Sequence, residues 1–318
     1  MSDLRIVFMG TPDFAVAPLD ALLKAGFNVV GVVTNPDKPA GRGRKIQESA
    51  VKIYAKEKDL KILQPEKFRD ENFLKDLADL KADLQVVVAF KMLPELVWNM
   101  PRLGTINIHA SLLPHYRGAA PLNWAIMNGE KETGATTFLL KHEIDTGNII
   151  MQEKLSIDDD ENIGSLHDRL MVLGAELIVK TVKAVEEGNY TLTEQDVLLD
   201  GEIAKHAPKI FKDDCKVDWS KDINDVYNLI RGLSPYPAAW ALFETPNNKD
   251  LNMKLFSVRK EICEHNSPIG TLLSDAKTFV KVATNGGYIC LDSIQMAGKK
   301  RMLVQDFLRG FDISPYLG

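Results

Sequence analysis

The sequence LQVVVAF at residues 84–90 decides the fold of the first part of this 318-residue chain. It is almost continuously apolar and rich in β-branched side chains, which is typical of a parallel strand covered on both faces. Other short apolar runs lie on either side of it, at residues 4–9, 28–34, 61–63, 104–109, 134–140 and 149–153. Turn residues or helical patterns separate these runs. The alternation predicts an α/β domain with a doubly wound parallel sheet.

A long amphipathic helix at residues 165–187 ends the predicted α/β domain. Ser165 and Asp168 have the spacing of a capping box, and Gly188 stands where the helix would stop. The polar stretch that follows has no clear periodicity, which predicts a linker at residues 190–207. We therefore expect a Rossmann-like domain at residues 1–189.

The chain changes character after the predicted linker. Residues 223–232 favour a helix, and short strands are predicted at residues 254–259, 270–273, 278–282 and 288–291. The sequence Thr-Asn-Gly-Gly at residues 284–287 is a typical hairpin signal. About five short strands with one helix predict a small OB-like β-barrel domain at residues 208–318.

Composition indicates a soluble globular protein of the cytoplasm. Hydrophobic residues make up 45% of the chain and charged residues 26%, and no apolar run approaches the ~20 residues that span a bilayer. The N-terminus lacks the pattern of a secretory leader. The three cysteines, Cys215, Cys263 and Cys290, lie far apart. Their spacing argues against a disulfide framework or a structural zinc site and fits a reducing compartment.

Charge is unevenly distributed along the chain. The net charge is −5, but residues 208–318 carry +2 and the remainder carries −7. A nucleic-acid partner would therefore bind through local basic patches. One such patch is a loop with several Pro and Gly residues at 35–45, where only Asp37 opposes four cations: Lys38, Arg42, Arg44 and Lys45. The loop is either a solvated flexible segment or an arm that grips phosphates.

Asn107 and His109 are candidate chemical groups at the end of a predicted strand. Side chains two apart on a strand leave the same face, and open parallel sheets bind ligands at that end. An amide donor beside a titratable imidazole suits chemistry on a carbonyl. A single histidine on a strand is more often structural, and Asp145 taken alone is a turn residue. The turn at residues 9–14 lacks the G-x-G-x-x-G pattern, which argues against NAD and FAD.

Together these motifs resemble the 10-formyltetrahydrofolate-dependent formyltransferase family. The matching pieces, in order and approximate spacing, are Asn107-x-His109, Ser111-Leu112-Leu113-Pro114 with Arg117-Gly118, and Asp145-Thr146-Gly147. Four further segments, at residues 10–14, 36–43, 119–121 and 207–210, are similar to the members of that family that act on methionyl-tRNA. With them the resemblance spans nearly the whole chain.

The resemblance implies an enzyme that moves the formyl group of 10-formyltetrahydrofolate to the α-amino group of methionine on initiator methionyl-tRNA. It implies catalytic roles for Asn107, His109 and Asp145, and it requires no metal and no dimer, so a monomer is expected. Residues implied to line the folate pocket are Val88, Ala89, Phe90, Met92, Leu93, Ser111, Leu112, Leu113 and Pro114. Residues implied to contact methionyl-tRNA are Phe14, Lys38, Arg42, Arg44, Lys45 and Arg117. The C-terminal barrel is expected to hold the acceptor arm.

Three alternative functions differ in the acceptor of the formyl group or in having none. A nucleotide-sugar N-formyltransferase shares the Asn, His and Asp pattern and has a segment similar to residues 121–124; the basic loop and the second domain argue against it. A formyltetrahydrofolate hydrolase would transfer the formyl group to water and release formate. A non-catalytic RNA-binding protein would bind RNA through the barrel alone, which the acidic balance of the chain disfavours.

Overall fold

The computed structural model describes residues 2–40, 45–244 and 250–318. The chain divides into two compact units, and both are discontinuous. The first unit comprises Met1–Gly118, Gly134–Leu155 and Asp168–His206, and the second comprises Ala119–Thr133, Ser156–His167 and Ala207–Gly318. The sequence predicts one division near residue 189, whereas two short earlier segments pack with the C-terminal unit.

Secondary structure in the first 190 residues alternates as the apolar pattern predicts. The strands are β1 (Arg5–Gly10), β2 (Asn28–Val33), β3 (Lys38–Ala40), β4 (Lys45–Gln47), β5 (Ile62–Leu63), β6 (Leu84–Val88), β7 (Thr105–His109), β8 (Arg117–Gly118), β9 (Glu132–Leu139) and β10 (Ile149–Ser156). The helices are α1 (Val16–Lys24), α2 (Ala50–Glu57), α3 (Glu71–Asp79), α4 (Glu95–Trp98), α5 (Pro121–Met127) and α6 (Ile163–Glu186).

Seven of these strands form one sheet, in the order β10-β9-β7-β6-β1-β2-β5. The five strands from β7 to β5 are parallel, and β9 runs antiparallel to β7. The chain proceeds from β1 to β2 on one side and later enters β6 on the other side. This reversal of strand order lies between β1 and β6, with β7 next to β6. Open α/β sheets bind ligands in a crevice at the carboxyl ends of the strands at such a point. The predicted Rossmann-like doubly wound fold is confirmed.

Both faces of the central strands are covered, which explains their continuous apolar sequences. Val7 and Met9 of β1 pack in a cluster with Phe73 and Leu77 of α3. Phe8 points to the opposite face, because side chains alternate along a strand, and it is fully buried as well. Burial of a side chain of this size stabilises the fold by about 1.5–3 kcal/mol.

Helix α6 begins two residues earlier than the sequence predicts. The side chain of Asn162 accepts a hydrogen bond from the backbone N–H of Ser165 at 3.1 Å, so Asn162 caps the helix and Ser165 lies inside it. The predicted capping box at Ser165 and Asp168 is therefore wrong. The apolar face of this predicted amphipathic helix is turned inward, with Leu166 and Leu170 fully inaccessible to solvent.

The C-terminal part of the chain is built mainly from antiparallel strands. Its elements are β11 (His206–Ala207), α7 (Ile223–Leu233), β12 (Ala239–Phe243), β13 (Leu251–Ile262), β14 (Leu272–Ser274), β15 (Val280–Thr284), β16 (Gly287–Met296), β17 (Met302–Leu303) and α8 (Val304–Gly310). Six of the strands form a sheet in the order β12-β13-β16-β15-β14, with β17 paired to β16.

The predicted hairpin at residues 284–287 is confirmed, since Thr284 pairs with Gly287 across a two-residue turn. Gly286 in this turn has φ +93°, which favours glycine. Helix α7 packs Val226 and Ile230 against this sheet. The half-barrel sheet and its helix match the predicted OB-like domain. None of the helices that the structure describes is long and apolar enough to cross a bilayer.

Candidate active site

Strand β7 presents two polar side chains at its carboxyl end. Asn107 pairs with Val87 of β6 and with Phe138 of β9, so its position in the sheet is fixed on both sides. Its side chain is half-buried, and its amide makes no hydrogen bond to the residues that the structure describes. His109, two residues later on the same face, is 7% exposed. The structure thus places a free side-chain amide and a buried imidazole on the same face of β7, as the sequence predicts.

Hydrogen bonding fixes the tautomer of His109. Its Nε2 lies 2.8 Å from the carbonyl oxygen of Tyr116. A carbonyl oxygen only accepts, so Nε2 carries the hydrogen and Nδ1 of the neutral ring keeps a lone pair. Nδ1 lies 3.7 Å from Oδ2 of Asp145, and both side chains are largely buried. This distance exceeds a direct hydrogen bond, but the carboxylate is close enough to stabilise a protonated ring.

Asp145 occupies a turn that the backbone holds tightly. Its φ is +56°, in the left-handed region that residues other than glycine adopt rarely. The backbone N–H of Gly118 donates to its Oδ2 at 3.1 Å. At Gly147, a Cβ would lie 1.6 Å from the carbonyl oxygen of Leu139, so only glycine fits there. The sequence Asp-Thr-Gly therefore encodes the shape of the turn that carries the carboxylate.

The segment 116–118 contacts both partners of the His109 and Asp145 pair. Tyr116, with φ +62°, supplies the carbonyl for His109, and Gly118 supplies the N–H for Asp145. Between them, Arg117 donates from Nε to Oε1 of Gln195 at 2.8 Å and is mostly buried. Arg117, predicted from the resemblance to contact tRNA, is thus engaged within the first unit.

Sequence reasoning missed Tyr116 and Gln195. Tyr116 acts through a backbone carbonyl, which leaves no trace in the sequence. Gln195 lies in the segment 190–207, where a polar composition indicates a linker. That segment instead carries an antiparallel bridge from Thr193 to Ile149 and the 3-10 helix Gln195–Leu199. No sequence pattern distinguishes this glutamine from its exposed neighbours.

The nine residues predicted to line a folate pocket fall into two groups. The side chains of one group are buried in the interior: Val88, Leu93, Ser111, Leu113 and Pro114. The hydroxyl of Ser111 donates to the carbonyl of His115 at 2.7 Å, and Gln152 donates to the carbonyl of Leu113 at 2.8 Å. The second group is half-buried or exposed: Ala89, Phe90, Met92 and Leu112. Only this second group offers side-chain surface to a ligand.

Phe14 lies in the 3-10 helix Asp13–Ala15 that follows β1. It is half-buried, and a Cβ at Gly174 of α6 would lie 4.0 Å from its ring. Gly10 at the end of β1 admits no side chain, since a Cβ there would lie 2.6 Å from that of Ala15. The glycine therefore lets the chain turn closely over the crevice.

The basic loop is a hairpin of β3 and β4 whose two ends are anchored on α2. Lys52 of α2 donates to Asp37 at 2.5 Å and contacts Glu48 at 2.9 Å, so it joins the residue before β3 to the residue after β4. This hydrogen bond from Lys52 lowers the pKa of Asp37 below its usual value. Lys38 is exposed. Arg42 and Arg44 lie outside the described residues, as does the side chain of Lys45.

A cavity of about 540 Å³ lies next to the hydrogen bonds among Asp145, Arg117 and Gln195. Its lining combines cationic, anionic and aromatic side chains, and it shares Arg117 and Gln195 with the network around Asp145. The remaining lining residues are Trp98, Leu140, Lys141, His142, Glu143, Thr146, Asn148, Glu194 and Asp196. In the described part of the chain no three His, Cys, Asp or Glu side chains are grouped so as to hold a metal ion.

Comparison with known proteins assigns the family. A family model described as formyl transferase matches residues 4–182, and a model described as formyl transferase, C-terminal domain, matches residues 209–312. The chain belongs to the formyl transferase family. Methionyl-tRNA formyltransferase of Bacteroides thetaiotaomicron is 54% identical over 313 residues, covering 98% of this chain and 97% of that relative. The enzyme of the same name from Flavobacterium psychrophilum is 49% identical over 317 residues, covering 99% of each.

Solved structures, among them an N-formyltransferase, share the fold at low identity. The N-formyltransferase of Helicobacter canadensis, in complex with folinic acid and dTDP-3-aminofucose, has a TM-score of 0.67 and 19% identity, covering 92% of this chain and 99% of its own. HypX of Aquifex aeolicus, in complex with tetrahydrofolic acid, has a TM-score of 0.63 and 18% identity, covering 97% of this chain and 47% of its own. At these identities the likeness establishes the fold.

Proposed function

We propose that this formyl transferase moves the formyl group of 10-formyltetrahydrofolate to the α-amino group of methionine on initiator methionyl-tRNA. The observation that carries the proposal is the approach of Asp145 to His109 at the end of β7, the strand that also carries Asn107 two residues earlier. Relatives named methionyl-tRNA formyltransferase, about half identical over nearly the full chain, support the choice of acceptor. We further propose that the enzyme works as a monomer in the cytoplasm, where translation takes place.

The side chains of the site match the charges that develop during formyl transfer. The folate supplies the formyl carbon. Asn107 donates from its free amide to the formyl oxygen, which gains negative charge as the methionyl amine attacks. His109 receives the amine proton at Nδ1, the nitrogen with the lone pair, and Asp145 stabilises the imidazolium that results.

Collapse of the adduct completes the transfer. The carbon–nitrogen bond to the methionyl amine is formed, the bond to the folate nitrogen breaks, and His109 returns its proton to that nitrogen. Protons and charges therefore balance over the cycle without another reactant. Throughout, the Nε2–H of His109 stays bonded to the carbonyl of Tyr116, which keeps the lone pair on Nδ1, the nitrogen on the side of Asp145.

The residues around the end of β6 fit an aromatic, partly apolar donor. Phe90 and Leu112 are half-buried, and Ala89 and Met92 are exposed, with Met92 75% accessible. Together they offer an apolar edge for a folate ring beside Asn107. Val88 and Leu93, two buried residues of the predicted folate set, lie before and after this exposed segment in the chain and hold it in place.

Two features suit a tRNA acceptor. The hairpin of β3 and β4 carries the exposed Lys38 on the first unit, and Lys52 holds its two ends. On the C-terminal unit, basic side chains lie over aromatic rings, a pairing that contacts both phosphates and bases. An example is Arg301 over Phe256, with the guanidinium carbon 4.6 Å from the ring centroid.

A comparison of acceptors tests the proposal. The protein and 10-formyltetrahydrofolate are incubated with methionine-charged initiator tRNA, with the same tRNA uncharged, with an amino-sugar nucleotide, or with no acceptor. We expect formylmethionine with the charged tRNA alone. Formylation of the amino sugar would support the nucleotide-sugar enzyme instead, and rapid formate release without an acceptor would support a hydrolase.

A further inference from the structure

Gln195 is a buried polar residue in an exposed segment. Its side chain is 3% exposed, whereas Glu194 and Asp196 on either side are exposed and Val197 is 70% exposed. Burial of a carboxamide costs free energy unless its hydrogen bonds are made. The position of Gln195 therefore depends on the partners it meets in the interior.

Those partners belong to the two segments that hold the carboxylate of Asp145. The Nε2 of Gln195 donates to the carbonyl of Asp145 and to the carbonyl of Gly147, both at 2.8 Å. Its Oε1 accepts from Nε of Arg117 at 2.8 Å. Arg117 precedes Gly118, whose N–H donates to the Asp145 carboxylate. One side chain thus ties the backbone of the Asp145 turn to the segment that binds its carboxylate.

The Asp145 turn needs such a tie. A non-glycine residue at φ +56° persists only where its surroundings hold it there. The backbone pairing of Thr193 with Ile149, at 2.8 and 2.9 Å, keeps the segment with Gln195 alongside the end of the turn. This placement lets the side chain of Gln195 donate to the carbonyls of Asp145 and Gly147.

We propose that Gln195 is a positioning residue: it holds the carboxylate of Asp145 beside Nδ1 of His109. The proposal rests on the proposed function, since the reaction is the readout of that placement. It assigns a task to a residue of the segment 190–207 whose side-chain hydrogen bonds go to Arg117 and to the Asp145 turn. Loss of the Gln195 hydrogen bonds is expected to displace the carboxylate of Asp145 and to leave the binding of folate and tRNA unchanged.

Two substitutions of Gln195 separate its hydrogen bonds from its volume. Gln195→Leu removes the hydrogen bonds that Nε2 donates to the carbonyls of Asp145 and Gly147. Gln195→Glu keeps the size of the side chain but places an acceptor oxygen where this donor stood. Both should lower kcat on the order of 10–100-fold, since small misplacements of catalytic groups have effects of this size. The KM values for folate and tRNA should stay close to wild type. Val197→Ala, on the same 3-10 helix, is the matched control and should keep full activity. Full kcat in both Gln195 variants would overturn the proposal.

A double substitution distinguishes positioning from general stability. If Gln195 acts through Asp145, Gln195→Leu should cost little further activity once Asp145→Asn is present. An equal fold-loss in both backgrounds would show that Gln195 acts on the fold alone and would overturn the proposal.

Hydrogen exchange gives a readout that does not depend on activity. The amide of Gly118 donates to Asp145, so its protection should fall in Gln195→Leu while protection in β1 and β6 is kept. Unchanged protection at Gly118 would contradict the proposal. Should the wild-type protein fail to formylate methionyl-tRNA, the proposed function is wrong, and the exchange comparison still decides whether Gln195 holds the Asp145 turn.

Discussion

At the scale of single residues, Asn107 is the group whose role is easiest to isolate. Its amide is free and half-buried, so its substitution leaves no described partner unsatisfied. Asn107→Ala should reduce kcat by about 10²–10³-fold, as loss of one donor to a developing oxyanion does elsewhere. The thermal unfolding midpoint should change little. Steady-state kinetics with both substrates measures the effect, and a rise in folate KM with unchanged kcat would mean that Asn107 only binds the donor.

The sequence predicts the site residues unevenly. Asn107 and His109 follow from strand periodicity, because side chains two apart leave the same face. The approach of Asp145 to His109 requires the turn between β9 and β10 to fold back, and this depends on Gln195 and Gly118. Those contacts are long-range or use backbone atoms, so local patterns carry no information about them. The assignment of Asp145 came from the family resemblance.

At the scale of elements, the hairpin of β3 and β4 should serve the tRNA and not the folate. Arg42→Ala should weaken the binding of charged tRNA, leave folate binding intact, and reduce the salt dependence of tRNA binding by about one counterion. Filter binding over a salt series measures both quantities. Equal loss of folate binding would show that the loop helps to build the fold.

The anchor of this hairpin gives a separate prediction. Lys52→Met removes the cation that joins Asp37 and Glu48, which should loosen both ends of the hairpin. We expect a higher KM for charged tRNA with kcat at saturation preserved. Lys75→Met is the control, since Lys75 on α3 is exposed and forms no ion pair with the described part of the chain. An unchanged KM would show that the hairpin needs no anchor.

The same anchor predicts a pH effect. Hydrogen bonds from Lys52 and Gln64 lower the pKa of Asp37, and those from Lys56 and Lys52 lower the pKa of Glu48. Groups with lowered pKa values contribute stability above their usual pKa and lose it as the pH falls through the lowered value. The anchor is therefore complete at neutral pH and is lost in acid.

The sequence predicts the presence of strands and helices better than the residues at which they begin and end. The strands β1, β2, β6 and β7 follow from apolar runs that both faces of the sheet bury. The sequence misplaces the start of α6 because Asn162, Ser165 and Asp168 are all acceptable caps, and only the bond from the Ser165 N–H to Asn162 decides between them.

At the scale of the whole molecule, Arg231 joins the distant pieces of the second unit. It is buried in α7 and donates to the carbonyls of Asp158 and Glu161, and burial lowers its pKa. Arg231→Met should lower the free energy of unfolding by about 1–3 kcal/mol, since the buried hydrogen bond to the carbonyl of Glu161 is lost. Arg309→Met, an exposed arginine, is the control. Equal denaturation midpoints for the two variants would contradict this role.

The discontinuity of the two units could not be predicted from the sequence. Residues 119–133 and 156–167 have the same periodicities as their neighbours, and their assignment to the second unit depends on contacts far along the chain. Composition and turn signals predict that there are two domains and what class each belongs to. The path of the chain between them is decided by tertiary contacts such as those of Arg231.

The most direct test of the central claim is single-turnover formyl transfer to methionyl-tRNA by His109→Ala and Asp145→Asn, with both substrates saturating. The claim is that an imidazole, supported by a nearby carboxylate, carries the proton. His109→Ala should slow transfer by about 10²–10⁴-fold, and Asp145→Asn should also slow it strongly, while both variants bind folate and remain folded. Transfer at nearly the wild-type rate in both variants would contradict the account.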